Sequence, residues 1–409
     1  MSKRKEKILG ELGFTYAGLS GKTQKDFGRG KPFIPFMNIM SNGKIDPKFM
    51  GLVEVAPNER QNAVQKGDLF FTTSSETPEE VGMTSVLLED VGECYLNSFC
   101  FGFRLYSFCD LNPEFAPYLF RGNDVRNQII NLGQGYTRFN LPKTELLKKL
   151  KLYLPSENEQ KKIAEILTKA DSIIEKTQSA IAKYKAIKQG MLQDLFTRGI
   201  DLSTNKLRPS YQDAPELYKE CKLGMIPREW EVERLGNRAT IEYGKSQKAV
   251  VSLNGTIPVY GTGGLMEYAT DFLYDGESIL IGRKGTIDKP FYINGKFWTV
   301  DTAYYLTSFT GNVRWLHSQL EYYNLRRLNE ATGVPSINRE TLYNIFLTFP
   351  DKPEQDEVEK RIVAIDNKLQ TEQNYLQKMQ SLKKGLMEDL LSGRKQVKVS
   401  EELVMQKEN

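Results

Sequence analysis

The feature that most constrains the fold is a long polar segment that occurs twice. The segment PSENEQKKIAEIL from Pro155 aligns without a gap to PDKPEQDEVEKRI from Pro350, and the offset of 195 residues holds to the end of both segments. The identical pairs include Glu159 and Glu354, Gln160 and Gln355, Asp171 and Asp366, Gly190 and Gly385, and Asp194 and Asp389. A duplication of this length predicts two copies of one structural unit.

Each copy predicts one long amphipathic helix. Ser156 and Asp351 are N-cap residues, and Glu159 and Glu354, three positions later, complete a capping box. Nine positions are apolar in both copies: Ile163, Leu167, Ala170, Ile174, Ile181, Tyr184, Ile187, Met191 and Leu195, matched by Val358, Ile362, Ile365, Leu369, Leu376, Met379, Leu382, Leu386 and Leu390. A narrow stripe on a polar helix favours a single partner helix.

The length of these helices favours an intramolecular coiled coil over separate packing of each helix on its own domain. About 40 residues at ~1.5 Å per residue give a rod of roughly 60 Å. Such a rod is longer than a domain of ~150 residues could cover. The sequence therefore predicts that the two helices pair with each other.

A strand-rich block precedes each helix. Both blocks contain short apolar runs between Gly, Pro and Thr, such as GDLFFTT and ESILIG, which are typical of strands and turns. GKTQK at 21–25 and GKSQK at 244–248 occur near the two starts. Both fail as phosphate-binding loops, because Tyr16 and Ala239 stand where the earlier glycine is needed. We interpret them as corresponding positions of a repeated domain.

Composition narrows the function classes. A chain of 409 residues predicts two or more domains. The only histidine is His317, and the four cysteines form no C-x-x-C pair, which argues against structural zinc, a His-dependent triad and a two-His metal centre. We expect His317 to be a packing or helix-surface residue. The basic start and the lack of any apolar run near ~20 residues predict a cytoplasmic protein.

The order of these features resembles the specificity subunit of type I restriction-modification systems. The resemblance covers essentially the whole chain and rests on the paired P-x-x-x-E-Q helices and on three motifs: GMIPREW at 224–230, GRKGT at 282–286 and KFWTVDTAYYL at 296–306. It implies a non-catalytic DNA reader whose two target-recognition domains each read one half of a split, asymmetric sequence. The first repeat lacks a counterpart of IPREW, so its domain either packs differently or is partly completed by the linker near residues 200–223.

The resemblance also implies partners. The helices would dock two adenine-N6 methyltransferase subunits, and motor-nuclease subunits would join the full complex. S-adenosylmethionine, ATP and Mg are expected on those partner subunits, and no cofactor is expected on this chain.

The predicted fold class is α+β, with two strand-rich target-recognition domains separated by two long helices in a pseudo-two-fold repeat. The coiled coil should be antiparallel, because a dyad relating two equivalent readers on one duplex reverses any helix lying along the DNA. The predicted segments are the first domain at 1–152, the central helix at 153–200, a linker at 201–223, the second domain at 224–348, the distal helix at 349–395 and a tail at 396–409.

DNA contacts are expected from basic and hydroxyl side chains of the two blocks, because phosphates attract cations and base edges need hydrogen-bonding groups. Net charge is only +4, but eight of the first 31 residues are Lys or Arg. In the first domain the candidates are Lys22, Lys25, Arg29, Lys31, Thr73, Ser74, Ser75 and Arg138. In the second domain they are Lys245, Lys248, Arg283, Lys284 and Arg339.

Two alignments link these candidates. Residues 72–75 align with 281–284, and the turns at 135–138 and 333–336 occupy equivalent positions before the helices. The two domains differ chemically in the first pair of segments, as two different half-sites would require. Arg138 and Arg339, in or just after the turns, are expected to contact phosphate.

Two other functions compete with DNA reading. The chain could itself be an adenine methyltransferase, since NPEF at 112–115 approximates the N-P-P-[YF] motif and GTGG at 261–264 imitates a glycine-rich cofactor loop. Glu114 breaks the first motif, and the second lacks a βαβ context. A coiled-coil scaffold without DNA binding would explain the helices but not the basic loops. Salt-dependent DNA binding separates that scaffold from a DNA reader.

Overall fold

The chain forms two compact units. A computed structural model describes residues 4–398, so the predicted tail at 396–409 lies outside the described residues from position 399 onward. Unit 1 comprises Met1–Thr177 and Tyr375–Asn409, and unit 2 comprises Gln178–Asn374. Each unit therefore contains half of each long helix.

Unit 1 begins with the first strand-rich block. Its described elements, in chain order, are β1 (Lys5–Ile8), α1 (Leu9–Leu12), β2 (Gly13–Ala17), β3 (Phe27–Ile34), α2 (Phe36–Ser41), β4 (Gly51–Val53), β5 (Leu69–Thr72), β6 (Ser74–Ser75), β7 (Thr84–Val86), β8 (Tyr95–Leu96), β9 (Cys100–Leu105), α3 (Ala116–Arg121), α4 (Asn123–Leu132), β10 (Phe139–Asn140), α5 (Lys143–Lys149) and β11 (Lys151–Leu154). The long helix α6 (Glu157–Thr197) follows and continues into unit 2.

The strands of unit 1 form a four-stranded sheet in the order β2-β9-β5-β7, a three-stranded sheet in the order β4-β3-β8, and the pairs β1-β11 and β10-β6. The apolar residues of β5 and β9 are buried on both faces of the sheet, as expected for central strands. Phe71 and Phe101 stack with ring centroids 5.3 Å apart. Ile163 and Leu167 of α6 belong to the same core, so the start of this helix packs on the domain.

Unit 2 holds the linker and the second block. Its remaining elements are β12 (Ile200–Asp201), β13 (Lys206–Leu207), β14 (Tyr218–Cys221), β15 (Gly224–Pro227), β16 (Glu231–Arg234), α7 (Leu235–Arg238), β17 (Ala239–Tyr243), β18 (Ile257–Gly261), β19 (Gly264–Ala269), β20 (Tyr274–Gly282), β21 (Phe291–Thr299), β22 (Ala303–Phe309), α8 (Val313–Tyr323), α9 (Arg339–Tyr343), β23 (Phe346–Phe349) and α10 (Lys352–Ser392), which ends in unit 1. Six strands form one sheet in the order β17-β22-β20-β21-β18-β19.

The strand register shows that the two units share one topology. Phe101 on β9 faces Ala17 on β2 and Phe71 on β5. The equivalent residue of unit 2, Tyr304 on β22, faces Tyr243 on β17 and Ile281 on β20. The parallel pairs β3-β8 and β18-β21 and the antiparallel pairs β1-β11 and β16-β23 repeat as well. The predicted α+β internal repeat is confirmed.

The two long helices pair antiparallel, as predicted. In unit 1 the Lys383 ammonium lies 2.5 Å from the Asp171 carboxylate. In unit 2 Lys188 lies 2.6 Å from Asp366. These are the same two positions of the repeat with the helices exchanged, so each unit contains one copy of the same contact.

The apolar stripe does more than form the helix seam. Val358 and Ile362 of α10 lie in the core of unit 2, as Ile163 and Leu167 of α6 lie in the core of unit 1. The N-terminal part of each helix therefore packs on a strand-rich domain. Ile187 and its repeat partner Leu382 are 44% and 50% exposed. Their assignment to the seam was therefore wrong.

The glutamine of each E-Q pair explains why this motif starts both helices. Buried Gln160 accepts a hydrogen bond from the Asn112 backbone N–H at 2.9 Å and donates to the Pro155 carbonyl at 3.1 Å. Gln355 makes the same two contacts, with Asn312 at 2.9 Å and Pro350 at 2.8 Å. Each glutamine thereby ties the first turn of a long helix to the loop before α3 or α8.

The two capping boxes differ. Glu159 accepts hydrogen bonds from the Ser156 backbone N–H and hydroxyl. Asp351 caps α10 by accepting from the Glu354 N–H at 3.2 Å, but the Glu354 side chain is buried elsewhere, so the reciprocal half of the second box was predicted wrongly. Glu354 accepts from the Trp230 indole at 3.1 Å, from the Ile200 N–H at 2.7 Å and from Arg208. The linker thus completes unit 2, not unit 1.

Candidate nucleic-acid interface

Strand register identifies the loop residues that correspond in the two units. Thr72 faces Cys100 and Gly282 faces Ala303. The next residues, Thr73 and Arg283, donate their N–H groups to Phe99 and Thr302 carbonyls at 3.0 and 2.8 Å. Thr73 is therefore equivalent to Arg283, and Ser74 to Lys284. The sequence alignment of 72–75 with 281–284 was wrong by one position.

A second loop packs beside the first in each unit. Ser74 pairs with Asn140, and Lys284 with Ser336. The turn at 135–138 therefore corresponds to 331–334, two positions from its predicted counterpart. We call residues 73–75 and 283–285 the strand-end loops, and residues 135–138 and 331–334 the turn loops. The structure thus brings together two segments that the sequence had only identified separately.

In unit 1 these loops line an open depression of about 840 Å³. The Arg138 Nε donates to the Ser74 hydroxyl at 3.1 Å, and the Ser75 hydroxyl donates to Glu80 at 3.2 Å. Thr73 is half-buried, and Tyr136 beside Arg138 is 99% exposed. The depression therefore displays a guanidinium, hydroxyls and a carboxylate, which are groups that can read base edges.

In unit 2 the strand-end loop displays two cations. The Arg283 carbonyl accepts from the Ile337 N–H at 3.0 Å, and the Gly285 N–H donates to Pro335 at 2.9 Å, so the backbone is held on both sides. Lys284 is exposed. The Arg283 Nε is buried and has no hydrogen-bond partner within residues 4–398. An unpaired buried donor is costly, so the exposed Lys284 is the cation of this loop that a phosphate can reach directly.

Arg339 lies against aromatic rings. Its guanidinium is 4.9 Å from the Tyr243 ring centroid and 5.8 Å from that of Tyr343, with the Glu242 carboxylate at 3.9 Å. Tyr243 also packs edge-on against Tyr304, whose pKa burial raises to about 12, so this hydroxyl is neutral. These contacts fix the guanidinium on the protein side and restrict its reach toward a phosphate.

The equivalent of Arg339 in unit 1 is Lys143, which sequence reasoning missed. Both are the first residues of short helices, α9 and α5, and Lys143 lies 5.1 Å from the Phe101 ring. The constant offset of 195 points to Asn338 instead, because the two copies differ by one residue between β10 and β11. The strand register therefore reveals a cation that both units share at this position and that the sequence alignment does not pair.

The basic segment at 22–31 of unit 1 is partly neutralised. Lys22 is 7% exposed and pairs with Glu59. Arg29 pairs with Glu54 at 2.8 Å and Lys31 with Glu93 at 2.6 Å, but these ion pairs are largely exposed, and such pairs open at a small free-energy cost. Lys25 is exposed on the same segment. A phosphate can therefore reach Lys25, Arg29 and Lys31. The Lys22 side chain is buried in its ion pair with Glu59 and is not accessible.

The GKTQK and GKSQK runs are not structurally equivalent. A Cβ at Gly18 would collide with the Asn97 carbonyl, and one at Gly244 with the Val300 carbonyl, in the same strand register. The Lys245 N–H donates to Thr299 at 2.9 Å, as Leu19 does to Leu96 at 2.8 Å. Exposed Lys245 therefore corresponds to buried Leu19, and the shared letters lie three positions out of register. Lys248 is exposed and stays a candidate.

The motifs of the rival methyltransferase reading have local structural roles. The Asn112 side chain accepts from the Glu114 N–H at 2.8 Å in the turn before α3, and Phe115 is fully buried. GTGG at 261–264 forms the turn between β18 and β19. His317 lies on α8 with Nε2 3.0 Å from the Pro290 carbonyl, which confirms a packing role.

Within residues 4–398, no group of three or more His, Cys, Asp or Glu side chains is arranged to hold a metal ion. No helix in this range is long and apolar enough to cross a membrane.

The chain is similar in sequence to known specificity subunits of type I restriction enzymes. The chain is 25% identical over 418 residues to the "Putative type I restriction enzyme MjaX specificity subunit" of Methanocaldococcus jannaschii, with 93% of this chain and 91% of the relative covered. The MjaVIII specificity subunit of the same organism is 25% identical over 293 residues, with 62% and 64% covered.

Two solved structures share the fold at 15% identity. One is a type I restriction-modification S subunit from M. genitalium, with a TM-score of 0.61 and coverage of 95% of this chain and 96% of that chain. The other belongs to a study of complex assembly and conformational transition of the type I R-M system, with a TM-score of 0.53 and coverage of 95% and 97%. A family model described as "Type I restriction modification DNA specificity domain" matches residues 7–183 and 227–381. These two segments fall in the two copies of the repeat and make up most of the chain, so this protein belongs to the type I restriction-modification DNA specificity family.

Proposed function

We propose that this chain is the DNA-specificity subunit of a type I restriction-modification complex, and that each unit reads one half of a bipartite, asymmetric target. One observation carries the proposal: equivalent backbones present different side chains. Thr73 and Ser74 in unit 1 stand where Arg283 and Lys284 stand in unit 2. Two scaffolds with one geometry and different hydrogen-bonding groups suit two half-sites of different sequence.

We propose that the helices dock two adenine-N6 methyltransferase subunits. Support comes from apolar and glycine positions that recur outside the helix seam. Ile187 and Leu382 are exposed, and a Cβ at Gly190 or Gly385 would meet nothing within 4 Å. A glycine inside a helix costs up to about 1 kcal/mol relative to alanine, and close approach by a partner would explain both glycines. Lys188 and Lys383, in contrast, face the opposite helix of the chain.

The chain itself would contribute recognition, and the chemistry would come from its partners. S-adenosylmethionine would bind the methyltransferase subunits, and ATP and Mg would bind the motor-nuclease subunits. The turn roles of Asn112 and of residues 261–264 support this division. Purified chain with S-adenosylmethionine and DNA should therefore transfer no methyl group until the methyltransferase subunit is added.

Mapping methylated adenines by single-molecule sequencing tests the proposal. Cells that express this chain with its cognate methyltransferase subunit should show one bipartite motif. The double variant R283T/K284S, which places the unit 1 residues on the unit 2 loop, should change one half-site and leave the other intact. Methylation without a bipartite motif, or a change in both half-sites, would refute the assignment.

A further inference from the structure

We infer that Arg138 reads a guanine in the half-site of unit 1 and is not the phosphate contact that its position before the helix predicts. The inference rests on the proposed function and assigns a base to one of its two readers.

The Arg138 guanidinium is held in a defined orientation. Its Nε donates to the hydroxyl of Ser74, a residue only 9% exposed on β6. The chain beyond Arg138 is paired to β6 through Phe139 and Asn140. Within residues 4–398 the two Nη groups make no hydrogen bond or ion pair. An arginine anchored at Nε and free at both Nη groups presents the fork that pairs bidentately with guanine O6 and N7.

The surrounding charge disfavours phosphate. Glu76 and Glu80 line the same depression as Arg138, and both are exposed. Carboxylates repel a phosphate, whereas they accept a hydrogen bond from cytosine N4. The Ser75 hydroxyl donates to Glu80 at 3.2 Å, which orients this carboxylate. Donors and acceptors side by side match the edge of a G·C pair in the major groove and do not match a phosphate.

Unit 2 has no arginine at the position that corresponds to Arg138. The turn-loop residue of unit 2 that corresponds to Arg138 is Val334, which is 67% exposed. Both half-sites have the same phosphates, so a phosphate contact is expected in both copies. A residue present in only one copy is better suited to reading the bases by which the half-sites differ.

The test is the methylation motif of Arg138 variants in the complex with the methyltransferase subunit. Arg138→Lys keeps the charge but loses the bidentate fork, and Arg138→Gln loses both. Each should relax discrimination at one G·C position of one half-site by about 5- to 150-fold and leave the other half-site unchanged. The matched controls are Arg29→Lys and Arg29→Gln, which alter another exposed arginine of unit 1. Arg29→Gln should lower methylation evenly over all sites, and Arg29→Lys should retain most of it.

The outcomes separate this inference from the proposed function. If Arg138→Lys keeps the wild-type motif and rate while Arg138→Gln lowers methylation evenly, Arg138 is a phosphate contact and the inference is overturned. The same holds if wild-type methylation is bipartite and neither half-site responds to Arg138. A wild-type complex that methylates without a bipartite motif would overturn the proposed function as well. An intact second half-site in the variants shows that they fold.

Discussion

At the scale of single residues, identical letters in the two copies acquire different roles. Glu159 and Glu354 occupy the same position of the repeat, yet Glu159 caps its own helix while Glu354 is buried against Arg208 and Trp230. In unit 1 the strand register places Arg4 where Trp230 stands in unit 2. Arg4 instead donates to the Leu390 and Leu391 carbonyls at the end of α10. The two glutamates differ in role because the linker supplies Arg208 beside Glu354.

Removal of the buried carboxylate should destabilise unit 2. Glu354→Ala would leave Arg208 without its main partner, at a cost of about 3–5 kcal/mol. Glu229, which pairs with the same arginine but is 78% exposed, provides the control, and Glu229→Ala should cost about 0–1 kcal/mol. All three tryptophans, at 230, 298 and 315, lie in unit 2, so tryptophan fluorescence in a denaturant titration measures this unit. Equal effects of the two variants would contradict the prediction.

A second buried glutamate should make unit 2 sensitive to pH. Burial raises the pKa of Glu359 to about 7 from 4.5, although the Ser318 hydroxyl, Arg314 and Lys188 oppose the shift; Asp366 adds to it. Because the folded state binds the proton more tightly, the contribution of Glu359 to stability falls as pH rises from 4.5 to about 7.

Glu359→Gln removes this penalty. At pH 8 the variant should be more stable than the wild type by about 1–2 kcal/mol after allowance for solvent screening, or several degrees in Tm. At pH 5 the two proteins should melt within about a degree of each other, because the wild-type carboxyl is then protonated. Thermal unfolding followed by tryptophan fluorescence at both pH values gives the comparison. A gain of the same size at pH 5 would mean that packing, not ionisation, is responsible.

At the scale of elements, the helix pair shows what periodicity can and cannot predict. The N-caps Ser156 and Asp351 and the antiparallel pairing were predicted from the sequence. The outward positions of Ile187 and Leu382 were not, because a stripe that fits one seam over its whole length also fits two domain cores at its ends. Spacing alone does not tell which partner a given turn of the helix meets.

A matched insertion tests the helices as a ruler. Four residues added to α6 between Asp171 and Lys188, and four to α10 between Asp366 and Lys383, preserve both lysine–aspartate contacts. The insertion lengthens each helix by ~6 Å, so the non-specific spacer of the DNA target should grow by about one or two base pairs. Sequencing of methylated adenines should show unchanged half-sites. An active complex with the original spacer would exclude the ruler, and insertion in α6 alone, which breaks the helix register, is the control.

At the scale of the whole molecule, duplication predicts stoichiometry. Each copy of the repeat carries the same exposed positions, Ile187 with Gly190 and Leu382 with Gly385. Two methyltransferase subunits per chain are therefore expected, and native mass spectrometry of the co-expressed complex measures this directly. Ile187→Asp should reduce the complex to one methyltransferase per chain, Leu382→Asp should do the same, and the double variant should bind none. Full occupancy in the double variant would place docking on another surface.

The sequence by itself determined the features that depend on local chemistry and on counting. The constant offset, the helix caps, the amphipathic helices and the strand-rich blocks follow from patterns within short windows, and so do the α+β class and the family resemblance. The structure has these features as predicted, because residues close together in the sequence are sufficient to encode them.

Only the tertiary structure decided which residues correspond and which are available. The equivalence of Thr73 with Arg283 and of Lys143 with Arg339, the burial of Lys22 against Glu59, and the loss of correspondence between GKTQK and GKSQK all arise from contacts between distant segments. Loops of different length conceal such relations from a sequence comparison. A sheet reveals them, because each backbone hydrogen bond fixes one residue opposite one partner.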